Sequence, residues 1–290
     1  MSDLLMNLED RKQRELELLG SIPVFDIELS SRCNISCVMC PRTKLSRKLE
    51  TMSLGLIKVL LNWLPSNAQA MLCGLGEPLL NSHIFFLISS LRLRGIEVGV
   101  TTNGSLLTKN AVDTIVAYGI NLIQVSFNGS TEEIYSSIMQ NACFSTVIQN
   151  LQYLAKIKTS KLTVKLAVTV QRDNRNDVEN IQMLATKLGF EVFLRNRHSR
   201  SGALMVDGES KVNLPGCGIL PKVTFIAANG DVLSCCQDLA GKFVLGNIGR
   251  NTFEDILAAK KNIIDQDSWF PICQHCDDEY RYLLLAGNII

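Results

Sequence analysis

Three cysteines stand on one short loop in the stretch Glu28-Leu-Ser-Ser-Arg-Cys33-Asn-Ile-Ser-Cys37-Val-Met-Cys40-Pro-Arg42. The spacing Cys-x3-Cys-x2-Cys allows three thiolates to surround a single iron–sulfur cluster. A cluster of four irons held in this way keeps one iron without a protein ligand, and a small molecule can bind that iron and receive an electron. The protein then has to position, shield and tune the cofactor.

A disulfide framework and a structural zinc site fit these cysteines less well. Three clustered cysteines cannot all pair with one another, and the N-terminus lacks the basic-then-apolar order of a secretory signal, so disulfides are disfavoured. A structural zinc site needs four ligands, and no His or Cys follows within the next turn to supply the fourth. A chance match of the motif is the third alternative.

Composition narrows the class of protein. The 290 residues suit one large domain or a large domain with a small satellite, and 47% hydrophobic residues can form a substantial core. A net charge of +1 gives no reason to expect a nucleic-acid or membrane partner. Ten cysteines without a signal peptide or a membrane-length apolar run predict a reducing cytoplasm, in which most cysteines hold metal.

Short apolar strands alternate with helices after a leading helix over residues 1–21. The predicted strands are 24–29, 70–73, 97–101, 122–127, 163–170 and 191–194. The predicted helices are 54–63, 83–94, 108–118, 131–139, 145–158 and 176–188. Ser130-Thr-Glu-Glu133 is typical of a capping box at the start of one of these helices. Such alternation predicts parallel strands joined by right-handed crossovers.

Three further loops follow predicted strands and carry small and polar residues. They are Cys73-Gly-Leu-Gly-Glu-Pro78, Thr101-Thr-Asn-Gly104 and Val125-Ser-Phe-Asn-Gly129. With the three-cysteine loop, they resemble the radical S-adenosylmethionine (radical SAM) superfamily, in which that cofactor is reductively cleaved to a 5′-deoxyadenosyl radical. The resemblance covers about residues 22–290 and implies an α/β fold, a partial (β/α)6 barrel similar to a TIM barrel. Catalytic groups of such barrels lie at the C-terminal ends of the strands.

The resemblance also implies which residues contact S-adenosylmethionine. These are Met39, Gly74, Gly76, Glu77, Asn103, Ser126, Asn128 and Val168. Gly74 and Gly76 would let the backbone approach the methionyl group, and Ser126 would contact the ribose. Asn128 stands where the family usually has Asp, so it brings a hydrogen-bonding amide without charge. Ordinary turn chemistry of these loops and plain packing of Met39 are the alternatives.

A second cysteine set lies near the C-terminus, in Cys217-x12-Gly230-x4-Cys235 and Cys273-x2-Cys276. Segments 223–227 and 232–235 predict a β-hairpin with an Asn-Gly turn, and a helix is expected near 253–260. This layout resembles the twitch module, a shortened SPASM domain whose cysteines hold one auxiliary 4Fe–4S cluster. A four-cysteine zinc site is the main alternative. The implied domains are the helix 1–21, the barrel 22–210 and the twitch module 211–290.

Three groups of side chains outside the cluster ligands are candidates for further roles. If Cys235 lies on a strand, Cys236 faces the opposite side, as a core thiol or as a hydrogen-atom donor. Cys73 and Cys143 are predicted to pack in a strand and a helix. The basic residues Arg195, Arg197, His198 and Arg200 follow the sixth strand. They either anchor an anionic or hydroxylated substrate, with Arg195 and Arg197 as catalytic candidates, or form a solvated basic loop.

The favoured hypothesis for the reaction is dehydrogenation of a small sugar- or cyclitol-like substrate. Subgroup members with this layout include an amino-cyclitol dehydrogenase, sulfatase-maturating enzymes, aminoglycoside epimerases and peptide-modifying enzymes, and the fold does not choose between them. The segment 1–21 is too short for the leader-binding domain of many peptide-modifying members, which favours a small substrate. An epimerase that uses Cys236, a peptide-modifying enzyme and a zinc-stabilised binding protein are the alternatives. The resemblance implies a flavodoxin- or ferredoxin-type electron donor.

Overall fold

The computed structural model describes residues 7–44, 47–202, 204 and 216–287. The strands are β1 (Val24–Ile27), β2 (Ser36–Cys37), β3 (Gln69–Leu72), β4 (Glu97–Thr102), β5 (Leu122–Ser126), β6 (Met139–Gln140), β7 (Thr163–Val170), β8 (Glu191–Asn196), β9 (Val223–Ile226), β10 (Asp231–Leu233) and β11 (Val244–Asn247). The helices are α1 (Leu8–Leu19), α2 (Leu54–Trp63), α3 (Ile84–Leu93), α4 (Lys109–Ala117), α5 (Glu132–Ile138), α6 (Phe144–Ile157), α7 (Val178–Leu188), α8 (Ile219–Lys222), α9 (Phe253–Asp265) and α10 (Tyr280–Leu285). Short 3-10 turns lie at Pro41–Lys44, Pro78–Leu80 and Pro271–His275.

Six parallel strands form the barrel wall in the order β1-β3-β4-β5-β7-β8. They are the six predicted strands, and each boundary lies within two residues of the predicted one. Helices separate successive strands of this wall, as crossovers between parallel strands require. The predicted α/β partial barrel is therefore confirmed.

Alternation along β1 sorts its side chains between the core and the barrel interior. Phe25 is fully buried and packs against Trp63 of α2 and Phe253 of α9, with ring centroids 5.9 Å and 5.2 Å away. Ile27 is also fully buried, whereas Asp26 lies on the opposite face and lines the cavity inside the barrel. The strand thus places an acidic side chain at the interior of an otherwise apolar element.

The predicted hairpin is confirmed, and it extends the barrel sheet. β9 pairs in parallel with β1, and β10 and β11 continue antiparallel, which gives one sheet of nine strands. Gly230 has a φ of +86° in the predicted Asn-Gly turn, and its N–H donates to the Ala227 carbonyl at 2.8 Å. β10 ends at Leu233, so Cys235 lies in the following loop and not on the predicted strand.

Several boundaries and caps differ from the sequence-based expectation. Thr131, not Ser130, caps α5, because its hydroxyl accepts from the Ile134 N–H at 3.3 Å. Ser130 instead bonds the buried Asp177 carboxylate through its N–H and its hydroxyl. Neither β11 nor the short β2–β6 pair is among the predicted strands.

The two ends of the chain meet beside the hairpin. α1 packs against α8, α9 and α10, which ties the leading helix to the C-terminal region. The predicted domain boundary at 210/211 lies outside the described residues, so the three-domain division stays a prediction. Within the described ranges, none of the helices combines the length and apolarity needed to cross a membrane.

Candidate active site

A cavity of about 450 Å³ opens at the C-terminal ends of the barrel strands. Its walls come from the three-cysteine loop, from the loops that follow β3, β4 and β5, and from residues within β7 and β8. Of the sequence-predicted residues, it brings together Cys33, Met39, Cys37, Cys40, Gly74, Gly76, Glu77, Asn103, Ser126, Asn128, Val168, Arg195 and Cys236. Arg197 is not among the lining residues; its backbone N–H continues the pairing of β8 by donating to the Val170 carbonyl at 3.0 Å.

The three-cysteine loop is pinned against the end of α5. Cys37 pairs with Met139 in the β2–β6 ladder, and the two sulfur atoms lie 3.4 Å apart. Burial raises the pKa of the Cys37 thiol to about 12, and the nearby Cys40 and Cys33 thiols contribute to this rise. All three are free cysteines. Three free thiols on one cavity wall, close enough to influence each other's ionisation, fit a cluster held by three thiolates.

The loop after β3 approaches the cysteine loop too closely for side chains. A Cβ added at Gly76 would lie 2.2 Å from the Arg32 carbonyl oxygen and 2.4 Å from that of Ser30. Gly74 has a φ of +154°, and a Cβ there would lie 2.7 Å from Cγ of Glu28. Glycine at both positions therefore lets the backbone of the two loops pack directly together.

Glu77 joins this loop to the end of β4. Its carboxylate is buried and accepts from the Thr102 hydroxyl at 2.7 Å, the Leu79 N–H at 3.1 Å and the Asn103 N–H at 2.8 Å. Burial raises the pKa of Glu77, and these hydrogen bonds oppose that rise. The Asn103 amide in turn reaches Sγ of Cys33 at 3.7 Å and the Asn34 side chain at 2.9 Å. Asn103 is thus a direct neighbour of the first cysteine.

The ends of β5 and β7 are joined by Asn128. Its side-chain oxygen accepts from the Thr169 N–H at 2.7 Å, and its amide nitrogen lies 3.1 Å from Sδ of Met139. Both ends of the Asn128 side chain are therefore engaged within the protein. Ser126 and Val168 line the same cavity from the neighbouring positions. The ribose role implied for Ser126 and Asn128 stays a prediction.

A buried ionic network lies where Arg195 and Tyr280 line the cavity. Nη2 of Arg195 lies 2.5 Å from Oδ2 of Asp278, which is 1% exposed, and the guanidinium stacks over Tyr280 at 4.8 Å. The Gln237 amide also donates to Asp278, at 2.6 Å. His198 lies beside Asp277, with Nδ1 4.0 Å from its carboxylate. Arg195 does not belong to a solvated basic loop, because it lies within β8 and its guanidinium pairs with the buried Asp278 carboxylate.

Two cavity residues were missed or misplaced by sequence reasoning. Asp26 lies in register between Met71 of β3 and Phe225 of β9, and its carboxyl group hydrogen-bonds the Cys73 thiol. Burial raises the pKa of Asp26 to about 6, while the Cys73 hydrogen bond and the Arg195 charge oppose the rise. Cys73 was expected to be strand packing, yet it lines the cavity. The sequence does carry a signal for Asp26: an acidic residue between the apolar Phe25 and Ile27 of a strand points to the opposite face from the core.

The second cysteine set also converges. Cys217, Cys235, Cys273 and Cys276 line one smaller cavity together with the rings of Trp269 and Phe270. Burial raises the pKa of Cys217 to about 12, and the Arg281 guanidinium opposes this rise. Four free thiols from distant segments fit a four-thiolate cluster.

Cys143, the remaining cysteine, is exposed, because it precedes the first turn of α6 and does not pack within the helix as expected.

Comparison with known families identifies the class of protein. The family model of the radical SAM superfamily matches residues 27–185, and a SPASM model, described as an iron–sulfur cluster-binding domain, matches residues 217–277. The chain therefore belongs to the radical SAM superfamily and is an enzyme. The predicted cofactors, S-adenosylmethionine and 4Fe–4S clusters, are confirmed.

Curated relatives share the family but differ in what their names describe. The chain is 24% identical over 260 residues to mycofactocin maturase MftC of Mycolicibacterium smegmatis, covering 76% of this chain and 66% of that protein. It is 22% identical over 175 residues to the tungsten-containing aldehyde ferredoxin oxidoreductase cofactor-modifying protein of Pyrococcus furiosus, covering 58% and 49%. The chain thus spans about half the length of one relative and just under two thirds of the other.

Solved structures share the fold. BtrN in complex with AdoMet and 2-DOIA superposes with a TM-score of 0.62 at 18% identity, covering 90% of this chain and 94% of that one. Streptococcus suis SuiB bound to precursor peptide SuiA gives a TM-score of 0.68 at 15% identity, covering 87% and 70%. These likenesses support the fold over about nine tenths of the chain.

We predict that replacing Cys33, Cys37 and Cys40 with Ala abolishes 5′-deoxyadenosine formation under dithionite, because no thiolate then holds the cluster with the open iron. Chromatography of the anaerobic reaction measures this product. Cys143→Ala, at an exposed position, is the matched control and should retain native turnover. Continued cleavage of S-adenosylmethionine by the triple variant would show the assignment to be wrong.

We predict that the anaerobically reconstituted chain binds about eight irons, one 4Fe–4S cluster at each cysteine set. Changing Cys273 and Cys276 to Ala should remove about half of this iron, because two of four ligands are lost, while the three-cysteine loop keeps its cluster. Iron and sulfide analysis with metal spectroscopy gives the answer. One zinc per chain with a single cluster's iron would favour the zinc site instead.

Proposed function

We propose that this enzyme dehydrogenates a small sugar- or cyclitol-like substrate in the cytoplasm, with electrons for the radical step delivered by a flavodoxin- or ferredoxin-type protein. The position of Cys235 and Cys236 carries the proposal. Cys235 lines the smaller cavity with the other three cysteines of its set, whereas Cys236 lines the large cavity. An electron acceptor held by Cys235 would stand next to the substrate end of the barrel.

The residues would divide between the cofactors as follows. Cys33, Cys37 and Cys40 would hold the cluster with the open iron, and the glycine loop at Gly74 and Gly76 would receive the methionyl end of S-adenosylmethionine. When bound, these groups supply an acceptor for a substrate hydrogen atom, and the auxiliary cluster supplies an acceptor for one electron.

Asp26 supplies the remaining element of a dehydrogenation, a proton acceptor. Oxidation of an alcohol to a ketone removes a hydrogen atom from carbon, a proton from oxygen and one further electron. The Asp26 carboxylate lines the cavity near Arg195 and Cys73, and a pKa of about 6 leaves it largely ionised at neutral pH. The hydroxyl proton would move to Oδ of Asp26, while Arg195, held by Asp278 and Tyr280, would orient the hydroxyl oxygen.

The size of the cavity supports a small substrate. Its volume of about 450 Å³ lies within the range of roughly 300–1,000 Å³ typical of small-molecule sites. S-adenosylmethionine would take a large share of this space, so the remainder suits a molecule of about one ring. Among the solved structures with the same fold, BtrN is a complex with AdoMet and 2-DOIA.

Two other reactions remain as candidates. SuiB was solved with a precursor peptide, which supports peptide modification as an alternative. Epimerisation has an observation of its own, because Cys236 places a thiol in the large cavity, with the Gln237 amide 3.9 Å from its sulfur. A thiol there could return a hydrogen atom to a carbon radical.

A deuterium-transfer screen tests the proposed reaction. Amino-cyclitols and hexoses deuterated at the ring carbons are incubated with reconstituted enzyme, dithionite and S-adenosylmethionine. Deuterium in 5′-deoxyadenosine together with a ketone product, both detected by mass spectrometry, is the expected result. Transfer only from a parallel set of deuterated peptides would overturn the small-substrate proposal.

We predict that Asp26→Asn still forms 5′-deoxyadenosine but loses ketone formation by about 100-fold or more, because the amide cannot accept the proton. In the native enzyme, ketone formation should fall as the pH drops below about 6, where Asp26 becomes protonated. The pH profile of product formation measures both. Asp173→Asn, at an exposed position, is the control. A native-like profile in Asp26→Asn would exclude the role.

We predict that Cys236→Ala oxidises the substrate at close to the native rate, because dehydrogenation needs an electron acceptor and no hydrogen-atom donor. Solvent deuterium should not enter the product of the native enzyme. Product analysis in D2O distinguishes the reactions. An inverted product with solvent deuterium, lost in Cys236→Ala, would assign the epimerase reaction instead.

A further inference from the structure

One peptide bond at the smaller cavity is held from both sides by buried charged side chains. The carbonyl oxygen of Gly216 accepts from Nε and Nη2 of Arg281, at 3.0 Å and 2.7 Å. The N–H of Cys217, which belongs to the same peptide, donates to Oε1 of Glu15 at 3.0 Å. Arg281 is 3% exposed and Glu15 is fully buried. The first helix and the last helix therefore fix the orientation of Cys217.

Arg281 also contacts the backbone of both cysteines in the Cys-x2-Cys segment, Cys273 and Cys276. Its Nη1 donates to the carbonyl oxygen of Cys273 at 3.2 Å and to that of Cys276 at 3.3 Å. The planar guanidinium thus bonds the backbone beside three of the four candidate ligands. Because the Cα–Cβ bond leaves the backbone in a direction set by the local conformation, holding these carbonyls sets the direction in which each cysteine side chain starts and limits where its thiol can lie.

The space beside Gly216 has no room for a side chain. Gly216 has a φ of +94°, and a Cβ there would lie 2.4 Å from Cδ of Arg11. Nη2 of Arg11 in turn lies 2.5 Å from the Asp267 carboxylate, just after α9. The α1 side chains Arg11 and Glu15 therefore close the peptide from the side opposite Arg281.

We infer that Arg281 is the positioning residue of the auxiliary-cluster site: its guanidinium gathers Cys217, Cys273 and Cys276 and sets the reduction potential of the bound cluster. This inference rests on the proposed assignment of that site and does not depend on the substrate. A lysine cannot reproduce the role, because an ammonium lacks the fixed fork that addresses three carbonyl groups at once.

The charge of Arg281 has a separate consequence from its geometry. Arg281 lines the smaller cavity together with all four cysteines of this set, so its positive charge lies beside the site of the cluster. Adding an electron to a cluster increases its negative charge, which a nearby buried cation stabilises. Arg281 should therefore make the auxiliary cluster easier to reduce, and hence a better electron acceptor.

The test compares Arg281→Met, Arg281→Lys and the exposed control Arg250→Met in a chain that lacks Cys33, Cys37 and Cys40, so that only the auxiliary site binds a cluster. Iron and sulfide content, the reduction midpoint followed by electron paramagnetic resonance, and the melting temperature before reconstitution are measured. Arg281→Met should lose at least half of the iron, and its remaining cluster should titrate at a more negative potential. Arg281→Lys should hold less iron than the control but keep a near-native potential.

The outcomes separate this inference from its premises. Native iron content and potential in Arg281→Met would overturn it, as would an Arg281→Lys variant with native iron content. A lower melting temperature with unchanged iron and potential would reduce Arg281 to an ordinary packing residue and also overturn it. Zinc in place of iron in the control chain would instead refute the auxiliary-cluster assignment, and none of these readouts requires a substrate.

Discussion

The buried carboxylate of Glu28 connects the parts on which the active site depends. It accepts from Nη2 of Arg47 at 2.8 Å and 2.6 Å, from the Leu75 N–H at 3.1 Å and from the Ala228 N–H at 3.2 Å. These donors belong to the segment after the cysteine loop, the glycine loop and the C-terminal hairpin. Removing one partner from such a buried ion pair costs on the order of 3–5 kcal/mol, because the other charge is left without compensation. Glu28 therefore links both cofactor regions to the first strand.

The parallel pairing of β9 with β1 joins the C-terminal hairpin directly to the barrel. Because β9 runs parallel to β1, the turn between β9 and β10 lies at the same edge as the loops that follow the barrel strands. Cys235 and Cys236 follow the antiparallel strand β10, and they line different cavities. A separate C-terminal domain on a flexible linker would not hold two adjacent thiols in this relation. The hairpin that carries Cys235 and Cys236 is therefore part of the same sheet as the barrel strands.

The sequence predicted those features that depend on residues near one another in the chain. Alternation of strands and helices located the barrel, and the spacing of Cys33, Cys37 and Cys40 located one cavity wall. Features that depend on contacts across the chain were not predictable in this way. Asp278 bonds Arg195 although the two residues are 83 positions apart in the sequence, and Arg281 bonds Gly216 at a separation of 65 positions. The position of Asp26 in the cavity depends on the register of β1 with β3 and β9, which the sequence does not reveal.

The two arginines of the large cavity differ in what they can still bind. Arg195 already donates to the buried Asp278 carboxylate, so its charge is compensated and it favours a neutral hydroxyl over a carboxylate. Arg200 lines the same cavity, and within the described ranges it has no ion pair with a carboxylate. Burial and the Arg195 charge lower the pKa of Arg200, which reflects the cost of keeping it charged there. The Asp278 carboxylate and the Cys236 thiol oppose this lowering, so the same buried carboxylate that holds Arg195 also favours the charged form of Arg200.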